Sequence, residues 1–188
     1  ATEQHEAAAG GQSADPTHRW RSLLTQVAMP AMQRGLRLPP TKEVVRLEML
    51  RLLSETLSAD PTLEPQMAAL RSDDDPEVDF YLNITHIQLP RRQRALTRLR
   101  HRIDVGEFEP RVLSTYLLPL ALHIVSKQES AERDVADEAV GVVGSLAKFI
   151  PWRPYYSLLL SLLRKLEHSP ALERRLVRTV AATLDSFH

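Results

Sequence analysis

The sequence predicts an all-α protein, an α-solenoid of antiparallel helix pairs, and three observations carry that expectation. Apolar residues recur at helical spacing along most of the chain. Period-two alternation of useful length is absent. From Arg91 onward, helical stretches are centred near residues 97, 119, 142, 161 and 179. Two such stretches make a repeat of roughly forty residues, the HEAT or armadillo period. Each rod alone leaves an apolar stripe uncovered, so neighbours must stack to bury it, and a right-handed stack is expected.

Taken in order, residues 1–16 are small and polar, contain Gly10 and Gly11, and are expected to form a disordered lead-in. Residues 17–71 form a helical segment. Trp20, Leu23, Leu24, Val27 and Ala31 mark its first helix, which Pro30 should kink or end near Met29. A second helix opens after Pro39 and Pro40 with Thr41 as N-cap and runs to about Leu57. Val44, Val45, Leu47, Met49, Leu50, Leu52 and Leu53 surround that helix, so burial on several sides is expected.

Residues 72–89 read as an acidic linker, SDDDPEVD, followed by an extended or one-turn connection, FYLNITHIQLP. Residues 90–188 are the regular HEAT-like part. Its helices are separated at Gly106 and Pro110, at Ser130, at Pro151 and Pro154, and at Ser169 and Pro170. The last pair reads as an N-cap and first turn. Pro119 lies inside YLLPLALHIV and should bend that helix without stopping it. Small residues Ala139, Gly141, Gly144, Ser145 and Ala147 allow close helix approach. In the final helix, Leu172, Leu176, Val177, Val180, Ala181 and Leu184 are the expected buried stripe.

Composition excludes several classes of function. The 188 residues carry 24 Lys plus Arg against 24 Asp plus Glu, and no Cys, which removes disulfides, thiolate metal sites and a cysteine nucleophile. No run of ~18 apolar residues could cross a bilayer, no signal-like start is present, and the chain is expected to be soluble. It reads as an internal piece of something longer. The seven His are scattered without metal-ligand spacing. His86, Asp134, Asp137 and Glu138 read as structural or capping groups, and Trp152, Tyr155 and Tyr156 as a core seal more readily than a base-stacking platform. No cofactor, metal, small-molecule substrate or catalytic residue is expected, and the chain is read as no enzyme.

One segment stands out. RRQRALTRLRHR, from Arg91 to Arg102, holds six Arg and one His without an acid. At ~100° per residue, Arg91, Arg94, Arg98, His101 and Arg102 share one arc, and Ala95, Leu96, Leu99 and Ile103 share the opposing one. With Arg92, these basic residues are the candidates for binding RNA phosphates or an acidic partner. A solvated helix face whose guanidinium groups pair with the acids of 73–79 is the competing reading, of about equal weight from the sequence.

The run from Asp79 to Leu99 also resembles a signature stretch of the small subunit processome component 20 family, the down-regulated-in-metastasis proteins. Asp79, Phe80, His86, Ile87, Gln88, Arg91, Arg92, Arg94, Ala95 and Leu96 carry the likeness. It continues in order through Tyr116, Pro119, Gly144, Trp152 and Tyr155 to Phe187 and His188, covering about residues 77–188; residues 1–76 match less clearly. Pro90 stands where the family tends to have another polar residue, which would place a helix start there.

The resemblance implies a non-enzymatic scaffold of the nucleolar small-subunit processome, or 90S pre-ribosome. Such a scaffold supports pre-rRNA processing and small-subunit assembly in the nucleolus. Its implied partners are pre-ribosomal RNA, processome proteins and a box C/D snoRNA particle, and no membrane. The alternative is a HEAT-repeat protein-binding adaptor such as a transport receptor or signalling scaffold.

Overall fold

The computed structural model describes residues 16–39, 42–127 and 132–187. The expected lead-in up to residue 15, Thr41 as a cap, the break at Ser130 and His188 lie outside the described residues. Among the described residues all regular structure is helical, so the all-α expectation holds.

Proline shapes two of the rods in the same way. α1 (Pro16–Leu23), a π-helical turn at Leu24–Ala28 and α2 (Met29–Leu36) follow one another with helical backbone throughout. The same order recurs in α7 (Pro110–Val112), the π-turn Leu113–Leu117 and α8 (Leu118–Val125). In each case the π-turn ends two residues before a proline, Pro30 or Pro119. The amides of Met29 and Leu118 bond five residues back, to Leu24 and Leu113. Widening one turn draws the preceding carbonyls away from the pyrrolidine ring, so neither proline stops its helix. The helix does not end near Met29 but continues to Leu36.

α3 (Glu43–Ala59) packs on α2, and a short 3-10 turn (Pro61–Leu63) and α4 (Pro65–Ala68) fold back beneath it. Its burial is narrower than the sequence pattern suggested. Leu50, Leu53 and Leu57 are buried together with Arg46 and Ser54, whereas Val44 is 74% and Leu52 49% exposed. No described neighbour covers that outer side, because α3 meets only α2, α4, the Pro61–Leu63 turn and α5 extensively. The N-terminal rods are fastened to the later ones by polar pairs. Gln33 donates to the Tyr116 hydroxyl at 2.7 Å, and Arg111 makes two bonds, of 2.8 and 2.6 Å, to the buried Glu64 carboxylate.

The acidic segment 72–79 is a loop, as read, but it is fixed at its far end. Asp79 is buried and caps α5 (Phe80–Ile84) by accepting from the Leu82 amide at 2.6 Å; its other oxygen accepts from Ser72 at 3.0 Å. α5 is the single helical turn expected of this connection, with Phe80, Tyr81 and Ile84 in the core. α6 (Leu89–Asp104) then starts with Pro90 in its first turn.

α9 (Arg133–Phe149) is the centre of the remaining array, packing on α6, α8 and α11 (Glu173–Asp185), while α10 (Trp152–His168) packs on α11. Ala139, Val142, Val143 and Leu146 have no exposed surface. In α11 the buried stripe is rotated from the expected one: Leu172, Leu176, Thr179 and Thr183 face inward, while Val177 is 48% and Leu184 50% exposed. Both threonines hide their hydroxyls by bonding the carbonyl four residues back, at 2.8 Å, and so behave as apolar residues. Ser169 does not cap through its side chain; Pro170–Leu172 is a 3-10 turn ahead of α11.

The small residues of α9 differ in what they permit. A Cβ on Gly144 would sit 3.3 Å from Ala182 and 3.4 Å from its backbone oxygen, whereas on Gly141 it would meet only the movable Arg100 guanidinium. Gly141→Ala should therefore raise stability by roughly 0.5–1 kcal/mol through helix propensity. Gly144→Leu should lower it by roughly 1–3 kcal/mol through overpacking. Urea unfolding of both variants checks this, and the reverse order would show that α9 and α11 do not approach as described.

Candidate nucleic-acid interface

The signature stretch builds one corner of the molecule, and most of its residues work inside the chain. The His86 imidazole accepts from the Gln88 amide at 3.0 Å, and the His86 carbonyl accepts from Arg92 Nε at 2.6 Å. This closes the turn into α6. Ala95, Leu96, Leu99 and Ile103 form the buried arc, as the helical spacing required, and dock on α9 and α5. Ile87 has no such role and is 87% exposed at the tip of the turn.

The six candidate residues separate into two groups. Arg92 lies on the buried side. It reaches across to the Glu132 carboxylate at the start of α9, which is only 8% exposed and also holds Lys127 at 3.4 Å. Arg102 is half held. It bonds Glu107 at 2.5 Å and the Ala69 carbonyl at 2.9 Å, with its guanidinium 5.4 Å from the Phe108 ring centre. Both are structural latches; for Arg92, its place on the apolar arc is the only local sign that it would turn inward.

Arg91, Arg94, Arg98 and His101 make up the outer arc. Arg94, Arg98 and His101 are exposed, and Arg91 is partly covered. Three of them gather on one residue of the acidic loop: Arg91 bonds the Glu77 carboxylate, Arg94 lies 3.6 Å from its other oxygen, and Arg98 bonds the Glu77 carbonyl. Pairing with local acids is thus real but incomplete, since two guanidinium groups share one carboxylate and the third bonds only a backbone carbonyl. Exposed ion pairs of this kind contribute about 0–1 kcal/mol and are screened by salt, so a phosphate can displace them.

Behind this face lies a second cluster that sequence spacing did not suggest, since its members come from α3, from α8 and the residues just after it, and from the N-cap of α9. Lys127 joins Glu43 at 2.6 Å and Glu132 at 3.4 Å, and His123 Nε2 is 3.9 Å from Glu43. Burial raises the Glu43 pKa, but the hydrogen bond and charge of Lys127, with His123 and Arg92 behind, bring it below the usual carboxylate range. Burial, with the charges of Arg46 and Lys127, holds the His123 imidazole down to about 4, so it stays neutral and its Nδ1 accepts from Arg46. Among the described residues no group of three or more His, Asp or Glu side chains is placed to hold a metal ion. The Trp152 ring stacks 5.9 Å from Tyr155 and 5.7 Å from Tyr156; Tyr155 is buried, and Trp152 remains 61% exposed.

These features define a helix-packed, all-α protein with a basic outer arc and an interior electrostatic network. No family model matches the chain. It is 30% identical over 161 residues, 85% of its length, to U3 small nucleolar RNA-associated protein 20 of Saccharomyces cerevisiae. It is 27% identical over 147 residues, 77% of its length, to the protein of the same name from Schizosaccharomyces pombe. The chain spans about 6% of the length of each of these relatives. The resemblance drawn from the signature residues is shown by these matches, which are those of a fragment of a homologue.

Two measurements check the geometry. Arg92→Ala should cost roughly 2 kcal/mol or more by leaving Glu132 underpaired in the interior, whereas Arg94→Ala should change stability by less than about 1 kcal/mol. Equal melting temperatures for the two would contradict the inward course of Arg92. His123 is depressed in the folded chain, so its contribution is fully present above the unfolded value of 6.5 and is lost as pH falls toward about 4. Over that window unfolding free energy should fall by about 2–3 kcal/mol more in the parent chain than in His123→Gln, which keeps an acceptor for Arg46 without titrating.

Proposed function

We propose that the chain is a non-enzymatic scaffold segment of the nucleolar small-subunit processome, the 90S pre-ribosome, supporting pre-rRNA processing and small-subunit assembly. One observation carries this reading: most of the chain matches two proteins whose names associate them with the U3 small nucleolar RNA. The helices stack as a HEAT-like solenoid, with α6, α9 and α11 in one row and α8 and α10 in the other; the packing of α9 on both α6 and α11 supports that order. The outer arc of α6 contacts pre-ribosomal RNA, and the segment works beside processome proteins and a box C/D snoRNA particle in the nucleolus. An acidic protein in the same particle is the second reading. It is favoured by Glu77, which shows the arc accepting a carboxylate, and by the exposed Ile87 beside it.

Replacing Arg91, Arg94 and Arg98 together by Glu in the intact parent protein tests the reading. Affinity purification of the unaltered protein should recover pre-rRNA and U3 RNA. The variant should lose RNA crosslinks at α6 and release at lower salt, because each phosphate contact adds about 0.7–0.9 to the salt exponent. Recovery of transport or signalling proteins without pre-rRNA would instead favour a HEAT-repeat adaptor.

A further inference from the structure

A cleft of about 770 Å³ opens between the end of α2, α3, α8 and α10, on the far side of Arg46 and His123 from the Glu43 network. Its wall holds Arg37, Arg46, Arg153 and Lys165, and among the described residues no Asp or Glu lines it. Arg46 is buried and Lys165 is half-buried. Arg46 is 3% exposed; it donates to the Leu36 carbonyl at 3.1 Å and to His123, and no described carboxylate lies within ion-pair distance of it. Lys165 donates to the Ser126 hydroxyl at 2.9 Å, also without a described carboxylate partner. Arg37 and Arg153 stand exposed at the mouth.

Buried charge without a counter-charge costs several kcal/mol, so proteins pair such groups or hold them for a ligand. Here the nearby acids are committed elsewhere: Glu43 and Glu132 face Lys127 and Arg92. Burial and the charge of Arg46 push the Lys165 ammonium below its ordinary value, the mark of a cation lacking an anion. Neutral His123 can accept from Arg46 without adding to the repulsion. Ser114, Ser157 and Ser161 add hydroxyl groups, and Leu118, Pro119 and Leu158 add apolar wall. Convergent cations, hydroxyls and an apolar wall in a concave site match a nucleotide unit, with phosphate inward and sugar and base against the wall.

We propose that this cleft binds a phosphate of single-stranded RNA, taking one nucleotide unit out of the strand. The phosphate chemistry stands on the cleft alone; RNA as its source rests on the function proposed above.

Fluorescence anisotropy of the 188-residue chain with a short fluorescein-labelled oligouridylate tests the proposal, with uridine monophosphate and inorganic phosphate as competitors. The variants are Arg37→Ala with Arg153→Ala at the mouth, Lys165→Met within, and Arg94→Ala with Arg98→Ala on α6. Binding should weaken at least about tenfold in the mouth pair, whose exposed side chains can change without unfolding the chain, and its salt exponent should fall by about 0.7 per lost contact. Uridine monophosphate should compete. If Lys165→Met melts early, the mouth pair decides. Unchanged binding in the cleft variants but loss in the α6 pair would overturn this site and leave the proposed function standing. Oligonucleotide binding that neither uridine monophosphate nor inorganic phosphate displaces would overturn the phosphate site, and no binding of the oligonucleotide would overturn the proposal entirely.

Discussion

The burial of α9 is the constraint on which the other features depend. Seventeen residues long, it is covered by α6, α8 and α11, and its inward positions are Ala, Val, Gly and Leu with almost no exposed surface. Small and β-branched side chains let three rods approach a fourth closely, and the aliphatic area they remove from water is what holds the rods in register. Every candidate surface follows from that arrangement. α6 can turn its arginines outward only because Ala95, Leu96, Leu99 and Ile103 are committed to the core. The cleft exists because α8, fixed against α9, stands away from α10 on its other side.

Charge is distributed in the same spirit. The chain has equal numbers of acids and bases, but they are not mixed evenly in space. Several acids pair with bases where at least one partner is covered: Glu64 with Arg111, Glu132 with Arg92 and Lys127, Glu43 with Lys127. That leaves guanidinium groups in excess at the α6 arc and in the cleft. The Arg-rich composition suits both places, since a guanidinium satisfies several acceptors at once and loses its charge under no ordinary condition.

Much of the fold was legible in the sequence because helical periodicity and proline punctuation are local. The centres of the helices beyond Arg91 fall where the spacing put them, and the apolar arc of α6 is the one its heptad-like spacing defined. Three features were not legible, each for a physical reason. Pro30 reads as a kink or an end near Met29, yet a π-turn absorbs it and the helix runs on to Leu36, and nothing in the local sequence announces a wider turn. Thr179 and Thr183 count as polar in any pattern, yet back-bonding makes them core residues and rotates the buried face of α11. Arg46 reads as one polar residue in a leucine-rich helix; its meaning comes from His123, 77 positions away, and from Lys165 beyond. Of the basic stripe, helical spacing set Arg92 apart from the outer arc but could not name its partner, because Glu132 is 40 positions distant.

Native-state hydrogen exchange on the chain tests the central claim most directly, because it reads which rod is innermost. The account predicts the slowest amides in α9, between Val135 and Ala147, exchanging together with those of α6, α8 and α11 as one cooperative unit, while α1 exchanges first. Amides of α9 that exchange as fast as those of α1, or independently of α6 and α11, would contradict it.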